Sequence, residues 1–171
     1  LKKTFNLVHI STGDLFRYNI KNQTKLGKLA QSYMNNGDLV PDQVTIDMLE
    51  AEVDQNPNAE GFIFDGFPRT KAQAEALDIF LKTKNMSITA TIALEADNDI
   101  LVERLLERGQ SSGRIDDKNE IKIRNRFDEY NIKTAPLCIY YQIQEKFHSV
   151  NGIGTIQEIT TRLTKLIESL N

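Results

Sequence analysis

The 171-residue chain has no tryptophan and a single cysteine, Cys138. A lone thiol excludes an internal disulfide framework and any zinc site built on cysteines. No apolar run approaches the roughly 20 residues of a membrane span, and no leader pattern opens the chain. Basic charge is not in excess either. Lys and Arg number 21 against 24 Asp and Glu, a net charge of −3, which excludes a broad nucleic-acid-binding surface. What is present is an ordinary globular mixture, 40% apolar and 26% charged, long enough for one domain with a substantial core. These absences predict a soluble, cytoplasmic protein.

Candidate strands are few and widely spaced: Leu7–Ile10, Gly61–Phe64, Ala90–Leu94 and a weaker Phe147–Val150. The middle two are continuous apolar or β-branched runs, as in strands buried on both faces of a parallel sheet. Between them lie helical patterns with polar starts at Asp42, Thr70 and Asp97, then a long helix from about Asp117 to Lys146 containing Pro136. A last helix, about Thr155 to Leu170, places Ile156, Ile159, Leu163, Leu166 and Ile167 on one face. Strands alternating with helices predict a doubly wound α/β fold. Leu1 and Phe5, four apart around Lys2 and Lys3, read as the last turn of an amphipathic helix with no start signal, which predicts a preceding segment.

Polar chemistry concentrates in three places. In Ser11-Thr12-Gly13-Asp14, followed by Arg17, a strand gives way to a helix start that favours an anion. Taken alone, this stretch reads more readily as an ordinary N-cap with a solvated arginine. In Asp65-Gly66-Phe67-Pro68-Arg69-Thr70, with Gln73 beyond, an acid and an arginine stand at the carboxyl end of a buried strand. That is where open α/β sheets bind ligands, and where an aspartate holds hydrated magnesium beside phosphates. Third, five of the eight arginines fall between 104 and 126: Arg104, Arg108, Arg114, Arg124 and Arg126. Gly109 to Gly113 between them reads as a small hinged loop that predicts a lid over a polyanion; a solvated helix paired by Glu103, Glu107, Asp116 and Asp117 is the rival. His9 and His148 sit in strands and read as structural. Cys138, Tyr140, Tyr141 and Phe147 read as packing. No Ser/His/Asp or Cys/His nucleophile constellation stands out.

The three clusters in this order and spacing, from Leu7 to the C-terminus, closely resemble the adenylate kinase family, and Asp-Gly-Phe-Pro-Arg is highly specific to nucleoside monophosphate kinases. The resemblance implies one α/β domain over residues 1–171, a parallel sheet of the P-loop NTPase type with helices on both faces. Residues 11–40 look like an AMP-binding subdomain and 108–117 like a short lid without zinc. It implies reversible phosphoryl transfer from ATP to AMP giving two ADP, with Mg²⁺ carried by the nucleotide and no nucleic-acid or membrane partner, in a monomer. For AMP, Thr12, Asp38, Leu39 and Val40 would contact base and ribose, and Gln73 the adenine edge. Arg17, Arg69 and Arg126 would hold the AMP phosphate, with Gly66, Phe67 and Pro68 lining the site. Arg104 and Arg108 would hold ATP, Gly154 would meet its adenine, and Arg114 would reach the transferring phosphoryl. Arg69, Arg104, Arg108, Arg114 and Arg126 thus form the catalytic set, and Asp65 would organise Mg²⁺ through water.

One departure is large. The phosphate loop Gly-x-x-x-x-Gly-Lys-[Ser/Thr] occurs nowhere in the 171 residues. In the family it precedes the position of Leu1, so the departure predicts a missing strand, loop and part of a helix, and an open edge on the Phe62–Phe64 strand. The 171 residues alone are expected to show negligible kinase activity while retaining AMP binding. A non-catalytic AMP-binding module and a UMP/CMP kinase are the alternatives.

Overall fold

A computed structural model describes residues 1–35, 40–112, 117 and 119–170, with Met34, Asn35, Ser112, Lys122, Arg126 and Glu129 described by backbone alone. The chain divides into two compact units, Leu1–Ser87 and Ile88–Asn171.

The first unit holds β1 (Val8–Ser11), α1 (Thr12–Lys21), α2 (Lys25–Asn35), α3 (Asp42–Asp54), β2 (Phe62–Asp65) and α4 (Lys71–Thr83). β1 and β2 pair in parallel, with Val8 opposite Phe62 and Ser11 opposite Asp65. Apolar residues on α3 and α4 make most of its core. Val44, Ile46, Met48, Leu49 and Val53 are buried from one, Ala74, Leu77, Phe80 and Leu81 from the other. Ala30, Val44 and Met48 form a cluster against which Leu15, Phe16, Leu26 and Val40 pack. α2 escaped the sequence reading, although Leu26, Ala30 and Tyr33 recur at helical spacing. Thr70 caps α4 by accepting from the Gln73 N–H at 3.2 Å, as its polar start predicts.

The second unit holds β3 (Thr91–Glu95), α5 (Asn98–Ser112), α6 (Glu120–Gln142), β4 (Phe147–Asn151) and α7 (Ile156–Glu168). β3 and β4 are again parallel, Thr91 opposite Phe147 and Glu95 opposite Asn151. Val102, Ile123, Leu137 and Tyr141 are its buried apolar residues. Thr155 starts α7 with a reciprocal capping box, its hydroxyl accepting from the Glu158 N–H while Glu158 accepts from the Thr155 N–H.

The parallel α/β expectation holds, with the strands paired two and two. β2 pairs with β1, and no further strand pairs with it among the described residues. Two details are corrected. Ile156 is 87% exposed and does not join the apolar face of α7, because it is the first residue of the helix, before the packed turns begin. Gly109, Gln110, Ser111 and Ser112 are not a loop but the last turn of α5. The Ser111 hydroxyl donates back to the carbonyls of Glu107 and Arg108 at 3.2 and 3.3 Å, so this polar side chain is satisfied by the preceding turn of the helix.

Candidate active site

The parallel pairing carries β1 and β2 to a common end, where polar residues replace apolar ones. Thr12, 4% exposed, opens α1 immediately after β1. Its hydroxyl lies 3.3 Å from the Asp65 carbonyl and 3.2 Å from the Gly66 carbonyl, so it ties the two strand ends together. Gly66 turns with φ +74°, a conformation that favours glycine. That turn brings Arg69 back on itself, its Nε donating to the Gly66 carbonyl at 2.8 Å. A Cβ on Gly66 would stand 3.3 Å from both Arg69 Nη2 and Thr12 Oγ1. Phe67 is buried beneath the turn, and its bond to Pro68 is cis.

Gln73 sits in the first turn of α4 with both ends of its amide engaged. Oε1 accepts from the Arg69 N–H at 2.7 Å, and Nε2 donates to Asp42 Oδ1 at 2.7 Å. Arg17 lies on α1 and pairs with Asp14 in the first turn. Val40 packs against the α2–α3 cluster. Asp38, Leu39 and Arg114 lie outside the described residues, as does the Arg126 side chain.

Asp65 ends β2 with its carboxylate 61% exposed and Oδ2 3.2 Å from His9 Nε2. Sequence reading gave His9 a structural role and missed this contact. The signal was parity: His9 pairs with Ile63, and Asp65, two residues further, faces the same side of the strand pair. Among the described residues no cluster of three or more His, Cys, Asp or Glu could enclose a metal. A single exposed carboxylate does fit a magnesium ion that keeps most of its waters and takes its remaining ligands from phosphates.

In the second unit, Arg104 and Gly154 come together. The Arg104 guanidinium donates to the Gly152 carbonyl at 3.0 Å and the Gly154 carbonyl at 3.2 Å. At the ends of β3 and β4, Glu95, Ala96, Asp97, Asn151 and Ile153 line a hollow of about 320 Å³. Arg108 donates through Nε, and through Nη2 at 2.7 Å, to Asp117 Oδ2, and that carboxylate is fully buried. Arg124 is bound instead by Asp99 and Glu120, whose hydrogen bonds hold its pKa above the usual arginine value. Of the acidic neighbours expected to pair the arginines, Asp117 does so with Arg108, while Arg124 takes two acids outside that group. Cys138 is half-buried, and desolvation pushes its thiol pKa up, which suits packing and not reactivity.

No helix among the described residues is long and apolar enough to cross a membrane. Comparison with known proteins identifies the family. The family model described as adenylate kinase matches residues 1–146. The chain is 66% identical over 170 residues to the adenylate kinase of Flavobacterium psychrophilum, spanning 99% of this chain and 90% of that one. It is 61% identical to that of Flavobacterium johnsoniae over the same shares. With that of Bacteroides fragilis identity is 42% over 166 residues, 97% of this chain and 87% of the other. With a strand-end turn of Asp65, Gly66 and Arg69, and two-thirds identity along nearly its whole length, this chain belongs to the adenylate kinase family.

Proposed function

We propose that this chain serves the family's reaction, moving the γ-phosphoryl of ATP reversibly onto AMP to give two ADP. In the forward direction an AMP phosphate oxygen forms a bond to the γ-phosphorus while the bond from that phosphorus to the β–γ bridging oxygen breaks. Little covalent chemistry falls to the protein, so arginine charge and positioning do most of the work. The acceptor site is assigned to Thr12, Arg17, Asp38, Leu39, Val40, Gly66, Phe67, Pro68, Arg69, Gln73, Arg114 and Arg126, drawn from a subdomain over 11–40, the turn after β2 and the arginines between 104 and 126. ATP falls to Arg104, Arg108 and Gly154, and Arg114 on a lid over 108–117 reaches the phosphoryl in flight. Asp65 would hold a water of hydrated Mg²⁺, which when bound draws charge from the nucleotide phosphates; His9 steadies that carboxylate.

The observation that carries the acceptor site is the convergence of Thr12 Oγ1 and Arg69 Nε on the Gly66 carbonyl, at 3.2 and 2.8 Å, at the end of the β1–β2 pair. An oxyanion placed there meets a guanidinium and a helix start together. The reading expects the 171 residues alone to bind AMP more tightly than CMP in a calorimetric titration, and to form ADP negligibly in a coupled assay. Preference for CMP would favour the UMP/CMP kinase alternative, and relative-like turnover by these residues alone would overturn the requirement for a phosphate loop.

A further inference from the structure

Asp42 opens α3, yet makes no side-chain cap to that helix, which starts after Pro41. Its carboxylate instead crosses 31 residues of sequence to accept from Gln73 Nε2 at 2.7 Å. On the other side of the same amide, Arg69 N–H donates to Oε1 at 2.7 Å. A peptide N–H can only donate and a carboxylate oxygen only accepts, so the two partners dictate which way round the amide stands. Turning it over would set NH₂ against N–H and oxygen against oxygen, two repulsions in place of two hydrogen bonds. In the held orientation Oε1 keeps one lone pair and Nε2 one hydrogen for a ligand.

That orientation carries information about a purine. Adenine offers an acceptor at N1 beside a donor at N6; a 6-oxopurine offers a donor at N1 beside an acceptor at O6. One amide orientation pairs with the first edge, and the same amide turned over pairs with the second. We infer that Asp42 is a specificity-determining positioning residue that, by fixing the Gln73 amide, makes the acceptor site select adenine over 6-oxopurines. This rests on the reading that Gln73 faces the base of the acceptor nucleotide. The Arg69 contact alone is a helix-cap bond that a glutamine can exchange; the carboxylate makes the turned-over state costly. Asparagine at 42 could donate or accept, and so would serve both orientations.

The test compares AMP and IMP binding to the full-length protein and to Asp42→Asn, Asp42→Ala and Gln73→Ala, with thermal melts confirming folding. Removing the carboxylate should narrow the preference for AMP over IMP by about tenfold or more, the scale of one hydrogen bond to a charged group. A tether that only joins α3 to α4 would weaken both nucleotides alike and leave the ratio unchanged. If Gln73→Ala narrows the ratio while both Asp42 variants keep it, the inference about Asp42 fails and the base-reading role of Gln73 stands. If Gln73→Ala keeps the full preference, the base-reading role itself fails, and the inference with it.

Discussion

Gly66→Ala puts the geometry of the strand-end turn to a quantitative test. The backbone there has φ +74°, and an L-residue in the left-handed region costs about 1–2 kcal/mol relative to glycine. The new Cβ would also stand 3.3 Å from Arg69 Nη2 and from Thr12 Oγ1. Arg69 can give way at its flexible end, but doing so loosens the 2.8 Å bond from Nε to the Gly66 carbonyl. Thr12 has little room to move, being 4% exposed and held against two carbonyls. Strain and crowding together should destabilise the fold by about 1–3 kcal/mol, read as a lower urea midpoint with an unchanged slope. AMP affinity should fall alongside. Gly66→Asn separates the causes, since asparagine tolerates positive φ far better but carries the same Cβ. A milder loss for asparagine supports backbone strain. An alanine variant within about 0.3 kcal/mol of the parent, or an asparagine variant as costly as alanine, would refute the φ argument.

Two further changes probe the helices. A Cβ on Gly27 would lie 2.1 Å from the Asn19 carbonyl oxygen and 2.8 Å from the Ile20 nitrogen, both backbone, so Gly27→Ala must push α2 off α1. We expect a loss of about 1–3 kcal/mol or more in urea unfolding; an unchanged midpoint would mean that the helices are not that close. At the start of α7 the Thr155 N–H, then its hydroxyl, hold the Glu158 carboxylate below its ordinary value of 4.5, with Arg162 adding to the effect. A depressed folded value means stability that is present above pH 4.5 and lost as the pH falls through the folded pKa. The melting-temperature gap between the parent and Glu158→Gln should therefore be widest near neutrality and close in acid. A gap that stays constant into acid would contradict the assignment.

Much of the architecture was legible from apolar runs, and the misreadings share a cause. Leu7–Ile10, Gly61–Phe64 and Ala90–Leu94 are strands displaced by one residue to Val8–Ser11, Phe62–Asp65 and Thr91–Glu95, while Phe147–Val150 gains Asn151. Apolar character marks where a strand is packed, but backbone pairing continues into Ser11, Asp65, Glu95 and Asn151, polar residues at the carboxyl ends of the strands. The motif residues Thr12, Gly66 and Arg69 could be named from sequence because a strand, a turn and a helix start fix their spacing locally. His9 with Asp65, Asp42 with Gln73 and Arg108 with Asp117 could not. Each of these pairs depends on how separate elements come together, and a single sequence gives no distances between them. Gly109 misled for a different reason, while Gly113 lies outside the described residues. Gly109 was read as flexible, yet a Cβ on it would meet the Asp117 carbonyl at 2.6 Å, so its small size serves close approach and not hinging.

The pairing of β1 with β2 also limits how the chain can change in length. Successive residues of a strand face opposite sides, so removing Ile10 while α1 stays in place would turn His9 away from Asp65 and set Val8 on the acid's side. Length changes before Val8 should therefore leave the facing of His9 and Asp65 intact, whereas loss of Ile10 should break it.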